Sequence, residues 1–449
     1  MALSNFDKYT WKNSDWTKRE STRDNLTLAL NHYINDSWKI DATYNYIEED
    51  RSTKHSGTSG WVDNYSTSRE SRSLNYGHWQ KNHSADVKLN GTFDLWGQTH
   101  DLVAGANGII IKSKYRSIDQ WGDGTGFSMI NNKLVHIQPD WSQYNLASHS
   151  NNSKTKQYGV FISTKLNFTD DLSAILGGRY SEWDYSYKSI GGSSAERKTD
   201  NFLPYLALSY DLTENLTTYI SYTEIFKPQS VKDRSGKLLD PETGFNYEVG
   251  LKGEWFDGRL NSSIALFQSG KDGLAVIDQD ENGNYVRTPD GGYAYKAEDD
   301  TKNKGWEFEI AGEITPSWQV QAGFSSSILK NKNGKRLNST TIPIRTANLF
   351  TTYKATPSLT VGGGLRWQSE TYDNTVKGYY IQAGHPEMVG EATQKDYFVV
   401  DLMANYEFNK NLSLLVNINN ALNKEYKASF STYSYGEERN WMATLKYKF

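Results

Sequence analysis

Apolar and polar residues alternate with a period of two along most of the chain. From Phe245 the odd positions read Phe245, Tyr247, Val249, Leu251, Gly253 and Trp255, and the even positions read Asn246, Glu248, Gly250, Lys252 and Glu254. The segment from Phe398 repeats this, with Phe398, Val400, Leu402, Ala404, Tyr406 and Phe408 against Asp401, Asn405 and Glu407. The C-terminus does so again, with Trp441, Ala443, Leu445, Tyr447 and Phe449 against Asn440, Thr444, Lys446 and Lys448. Successive side chains of a strand point to opposite faces, so each segment predicts a strand between an apolar and a wet environment. About 17 strands are expected on this basis. They cover 22–34, 38–48, 84–95, 99–114, 156–167, 172–187, 201–211, 216–226, 243–256, 260–270, 304–314, 318–329, 341–354, 359–371, 397–408, 412–427 and 439–449.

The connections alternate in length. Tight turns are predicted at Asn35-Asp36, Asp170-Asp171, Glu214-Asn215, Asp257-Gly258, Pro316-Ser317, Pro357-Ser358 and Lys410-Asn411, residue types that favour short hairpins. Between them lie long polar loops over 49–83, 115–155, 227–242, 270–303 and 370–396. Short turns on one rim and long loops on the other predict an all-β, antiparallel transmembrane β-barrel of the outer-membrane type. Trp38, Phe168, Trp255 and Trp318 fall beside short turns, and Trp306, Tyr397 and Trp441 at loop-side strand ends, where two interfacial aromatic girdles would place them. The bland alternative is that these are ordinary strand aromatics.

Composition agrees with a thin wall. Aromatic residues make up 14% of the 449, yet the hydrophobic share is only 37%. A thick core needs more aliphatic residues, and a disordered chain has fewer rings. With 49 Lys+Arg against 53 Asp+Glu, no bulk basic signal for nucleic acid exists. The longest aliphatic stretch is Ile109-Ile110-Ile111, far short of a membrane helix. Without cysteine there is neither a disulfide framework nor a thiolate metal site. Met1–Asn5 shows no charged region leading into an apolar core, so no signal peptide is read there.

The first predicted strand runs into a short turn and the last ends on the same rim. A bacterial barrel closes antiparallel with an even strand number, so the count predicts part of a larger barrel with strands missing at the N-terminal side. Residues 1–16 are expected to be the tail of an extracellular loop and 17–449 the barrel.

Leu172–Arg179 (LSAILGGR), Ile220–Gln229 (ISYTEIFKPQ), Leu239–Leu260 (LDPETGFNYEVGLKGEWFDGRL), Gly305–Phe324, Val361–Gln368, Val399–Tyr406, Val416–Tyr426 (VNINNALNKEY) and Tyr435–Phe449 resemble successive strands of TonB-dependent ferric-siderophore receptors. The hydroxamate, coprogen and pyoverdine types are the most similar subgroup. The resemblance is dense from Lys156 to Phe449 and looser from Thr17 to Ser153. It implies uptake of a ferric siderophore across the outer membrane of a Gram-negative bacterium, through a roughly 22-stranded barrel around an N-terminal plug. It implies outer-membrane lipid as surroundings, assembly by the barrel assembly machinery through the terminal Phe449, and energy from TonB–ExbB–ExbD. The chain departs from that pattern in showing no plug and no TonB box, which predicts a C-terminal part of such a receptor. No cofactor is implied, because the iron arrives already chelated.

A siderophore offers flat or hydrocarbon surfaces that stack on rings, with a few polar groups to fix its orientation. Candidate contacts are Trp61, Trp79, Tyr115, Trp121, Trp141, Trp183 and Tyr185, with Arg116 and Arg179 available to an anionic ligand. The alternative for each is that it folds the loops against one another. Other cargo (haem, cobalamin or a glycan) and a passive porin are the competing functions. Enzyme chemistry finds no support: no GxSxG elbow and no HExxH occur, and no carboxylate pair is placed by the sequence. Asp278–Gly283 begins like a calcium loop, but position twelve is Pro289 where a Glu is needed, so it reads as a polar loop tip. Asp119–Gly126 is Gly-rich without a βα unit, so a phosphate site is not expected. Glu248, Glu307 and Glu309 are expected on a wet inner face.

Overall fold

The computed structural model describes residues 16–59, 70–121, 127–130, 133–136, 138, 140–143, 150–189, 192–281, 284–337, 341–382, 384–429 and 434–449. Seventeen strands form one sheet. In chain order they are β1 Lys18–Tyr33, β2 Trp38–Ser59, β3 Glu70–Leu95, β4 Gln98–Trp121, β5 Ser150–Asn167, β6 Leu172–Ser189, β7 Ser194–Thr213, β8 Leu216–Lys227, β9 Glu242–Trp255, β10 Leu260–Asp272, β11 Thr301–Thr315, β12 Trp318–Lys330, β13 Arg345–Lys354, β14 Leu359–Gln368, β15 Tyr397–Glu407, β16 Leu412–Asn419 and β17 Asn440–Tyr447. Each pairs antiparallel with the next, giving an uninterrupted meander. Turns of two to four residues join β1 to β2, β3 to β4 and every second pair thereafter, so one rim is short-looped throughout. The expected strand number and alternation of loop length are both present.

The register turns sequence alternation into continuous rows. Leu208, Ile220, Val249, Leu266 and Trp306 lie opposite one another across β7 to β11. All five are exposed, Ile220 and Leu266 at 56% each. An apolar row this wide facing water would aggregate; facing lipid it is stabilised. On the opposite face Ser221 and Glu248 pair across β8 and β9, and Glu248 accepts a hydrogen bond from the Tyr219 hydroxyl at 2.6 Å. Glu307 and Glu309 share this inner face, by the same alternation. No helix among the described residues is long and apolar enough to cross a membrane.

The abundance of both rings and glycine has a common cause. Trp38 lies over Gly91, Tyr158 over Gly108, Phe161 over Gly105, Tyr205 over Gly177, Tyr219 over Gly250, Phe245 over Gly270 and Phe267 over Gly305, each ring directly across the ladder from its glycine. A Cβ on these glycines would fall 2.2–2.8 Å from a ring atom of the partner. A ring laid flat on the wall therefore needs a neighbour with no side chain, and it covers that neighbour's bare backbone in return.

Several expected boundaries move. The loops read at 49–83 and 115–155 are largely strand: β2 and β3 stay paired from Trp38↔Gly91 up to Ser59↔Glu70, and β4 runs on to Trp121. β7 likewise starts at Ser194 instead of 201. Above the membrane both strand faces meet water, so the apolar–polar alternation vanishes while backbone pairing continues. β16 ends at Asn419 instead of 427, because Asn420 turns the chain with φ 49° and its side chain donates to the carbonyls of Lys424 and Glu437. Trp38, Trp255, Trp318, Trp306 and Trp441 occupy outward rows as girdle positions. Tyr397 does not: alternation along β15 turns it inward, where it stacks on Tyr426 at 4.5 Å.

The sheet is open. Among the described residues β1 pairs only with β2, and β17 only with β16. Both edge strands are exposed over nearly their whole length.

Candidate ligand face at the long-loop mouth

β6 carries the densest set of candidate residues. Its odd positions face inward, so Arg179, Ser181, Trp183, Tyr185 and Tyr187 form one inner row rising toward the long loops. Trp183 and Tyr185 stack nearly parallel, with centroids 5.4 Å apart and a 4° interplanar angle. Trp183 is only 8% exposed, held between Gln157 of β5 and Thr199 of β7. The alternation that makes a strand also spaces rings two residues apart on one face, which forms the rail.

Arg179 sits at the foot of this rail. Its Nη2 donates to Asn107 Oδ1 and its Nε to Ser181 Oγ, both at 2.8 Å, and its guanidinium lies 5.9 Å from the Phe161 ring. The charge is fixed by three neighbouring strands with no carboxylate among these contacts, leaving it available to an anion. At the top of the rail Arg197, directly across from Tyr185, donates to Asp240 Oδ1 at 2.9 Å and to the Leu238 carbonyl at 2.8 Å. The Lys232 ammonium stands 5.5 Å from the Tyr187 ring.

Those last contacts belong to a package of loops. Lys232 Nζ binds Asp290 Oδ2 at 2.7 Å and Ser193 Oγ at 2.9 Å, and Ser193 Oγ and Thr288 Oγ1 donate to the same carboxylate. The lysine and these hydroxyls hold the Asp290 carboxyl well below the usual carboxylate range. Arg234 binds the buried Asp278 at 2.7 Å, so the residue that began a calcium-like run is committed to an ion pair. Asp280 Oδ1 accepts from the Asn284 amide. Among the described residues no group of His, Asp and Glu is arranged to hold a metal.

The remaining candidates separate. Tyr115 faces inward on β4, 5.9 Å from Tyr76 of β3, and joins the same inner face as the rail. Trp79 and Arg116 lie on the outward face, in the rows that continue the membrane-facing residues. Trp79 donates to Glu48 Oε1 at 2.9 Å and lies between the Lys81 and Lys114 ammonium groups, each 5.1 Å from its ring. Trp141 sits in a short 3-10 turn, edge-on to Trp16 at 6.2 Å. Trp61 lies outside the described residues. Trp121 ends β4 with its side chain outside them. Tyr76, Tyr187, Arg197 and Lys232 were not among the residues singled out by sequence. Tyr187 is legible as the next odd position after Trp183 and Tyr185; Arg197 falls between the expected strands 172–187 and 201–211, where no strand is predicted.

This antiparallel wall is matched by known proteins. The family described as TonB dependent receptor-like, beta-barrel, matches residues 2–421, and the chain belongs to that family. It is 38% identical over 382 residues to the ferripyoverdine receptor of Pseudomonas aeruginosa, covering 82% of this chain and 44% of that protein. It is 34% identical to the ferric-pyoverdine 358 receptor of Pseudomonas putida, over 99% of this chain and 54% of that one. The chain thus spans about half the length of the curated relatives it matches. The solved pyoverdine outer membrane receptor FpvA from Pseudomonas aeruginosa PAO1, bound to pyoverdine, superposes with a TM-score of 0.82 at 31% identity, over 99% of this chain and 64% of that structure.

Proposed function

We propose that this chain forms wall and mouth of an outer-membrane receptor for a ferric siderophore of the pyoverdine class. The Arg179–Trp183–Tyr185–Tyr187 rail carries the reading: it offers a flat ring stack beside a guanidinium with no acidic partner among its contacts, suited to an anionic ligand with a planar group. Its relatives named for ferric pyoverdine support the cargo class. The iron stays within its chelator and needs no protein ligand. Energy for release into the periplasm comes from TonB with ExbB and ExbD, the outward rows sit in outer-membrane lipid of a Gram-negative bacterium, and Phe449 is the signal read by the barrel assembly machinery. Haem, cobalamin or a glycan would be the cargo if the rail served another planar or polar ligand.

The test titrates the chain, folded in detergent, with ferric pyoverdines, ferrioxamine B, haem and cobalamin while tryptophan emission is followed. Ferric pyoverdine should quench the emission at the lowest concentration, and Trp183→Phe should remove most of that response. Tighter quenching by haem or cobalamin, or none by any ferric siderophore, would reject the reading.

A further inference from the structure

Five strands along the wall from the β6 rail, the inner face carries a second concave site. A cavity of 320 Å³ is lined by the long-loop ends of β10, β11 and β12 and by the connection from β12 to β13. It lies about 24 Å from the rail along the sheet, too far for one planar group to occupy both. Lys271 of β10 stands opposite Thr301 of β11, and one row below Ser269 stands opposite Asn303. All four face inward, by the alternation that turns Glu248 and Glu307 to that face. Arg336, Ile342 and Pro343 reach the cavity from the β12–β13 connection, and Leu274 from the one after β10.

Three kinds of group meet there. The first is cationic. Among the described residues Lys271 has one acidic neighbour, Glu242, whose Oε2 is 3.7 Å away and accepts no hydrogen bond. Glu242 is 3% exposed and its Oε1 already accepts from Lys227 at 3.1 Å. One carboxylate thus faces two ammonium groups, and the three donors of Lys271 make no hydrogen bond among the described residues. The Arg336 guanidinium is oriented by the Ile342 carbonyl at 2.7 Å and lies 5.6 Å from the Tyr372 ring. The second kind is neutral and polar: the half-buried side chains of Ser269 and Asn303 make no hydrogen bond among the described residues. The third is apolar: Leu274, Pro343 and Ile342, the last 62% exposed. We propose that this cavity binds a carboxylate bearing a neighbouring amide and a branched hydrocarbon arm, the chemistry of an N-acyl amino acid. Lys271 and Arg336 take the carboxylate, Ser269 and Asn303 the amide, and the apolar rim the arm. A bare inorganic anion would use the cations and leave that rim in water.

The test uses the 449-residue chain folded in a neutral detergent, with circular dichroism reporting folding. N-acetyl-leucine, N-acetyl-leucinamide and N-acetylglycine are titrated in turn, and acetylation of each lysine by a dilute activated ester is followed by mass spectrometry. N-acetyl-leucine should slow acetylation of Lys271 along a saturating curve, to about one third at twice the half-saturating concentration. N-acetylglycine should slow it less, and the uncharged leucinamide not at all. Arg336→Gln should remove most of the slowing and Arg336→Lys should keep most of it. Trp183→Phe should leave it unchanged, which separates this site from the rail and its cargo. Equal slowing by the acid and its amide, or by N-acetyl-leucine and N-acetylglycine, overturns the proposal on the unaltered chain, whether or not a variant folds. Equal slowing of Lys227 and Lys271 overturns it too, since that marks a general salt effect. So does full slowing in a folded Arg336→Gln variant, or its loss in Trp183→Phe.

Discussion

Parity decides what a residue at the mouth can do. Trp79 and Trp183 are both tryptophans toward the long-loop rim, yet one faces out and the other in. Trp183→Ala should weaken ferric pyoverdine binding about tenfold, equivalent to about 1.4 kcal/mol, while Trp79→Ala should change it less than twofold; isothermal titration of both variants checks this. Equal losses would mean that the rail is not the contact surface. The ring-on-glycine pairs make a second prediction at this scale. A Cβ on Gly177 would sit 2.2 Å from the Tyr205 ring. Gly177→Val should therefore cost about 1–3 kcal/mol through overpacking, seen as a lower urea midpoint in detergent, and Tyr205→Ala in the same chain should recover part of the loss.

At the scale of elements, loops and strands follow different rules. The strands are held by backbone ladders that need little from their side chains. The loop package over β6 and β7 instead depends on a few charges: Lys232 with Asp290, Arg234 with Asp278, and Arg197 with Asp240. Because the folded Asp290 carboxyl is held below its unfolded value, its contribution is fully present above the ordinary aspartate range near pH 4 and fades as pH falls below it. Hydrogen exchange of residues 288–294 should thus be insensitive to this group between pH 7 and 5, after correction for intrinsic rates. Asp290→Asn should speed that exchange at pH 7 and leave the β8–β9 ladder unchanged. A variant with unaltered loop exchange would show that the carboxylate does not hold the package.

For the whole molecule, strand direction is the controlling quantity. β1 and β17 both run toward the short-turn rim, so they cannot pair antiparallel with each other. A chain of these 449 residues alone should give irregular currents or none in a planar bilayer; a steady pore of one size would show that its edges close. The same meander brings residues as distant in sequence as Tyr115, Arg197 and Lys232 to the long-loop side of the wall.

Much of this was legible without coordinates. The two-residue alternation of Phe245–Trp255 and Phe398–Phe408, the turn residues and the sorted loop lengths determined strand number, strand direction and the membrane-facing rows. Local chemistry suffices for these, because a strand's two faces follow from backbone geometry. Alternation failed over 50–59 and 70–79 and again around Arg197, where strand pairing continues without an apolar row to mark it. Only the tertiary structure decided the candidate site. Which ring turns inward depends on register counted from the lipid-facing rows, and register is a relation between strands. It separated Trp79 and Arg116 from Trp183 and Arg179, and it set Lys271 opposite Thr301 and Ser269 opposite Asn303, residues far apart in sequence that now stand side by side.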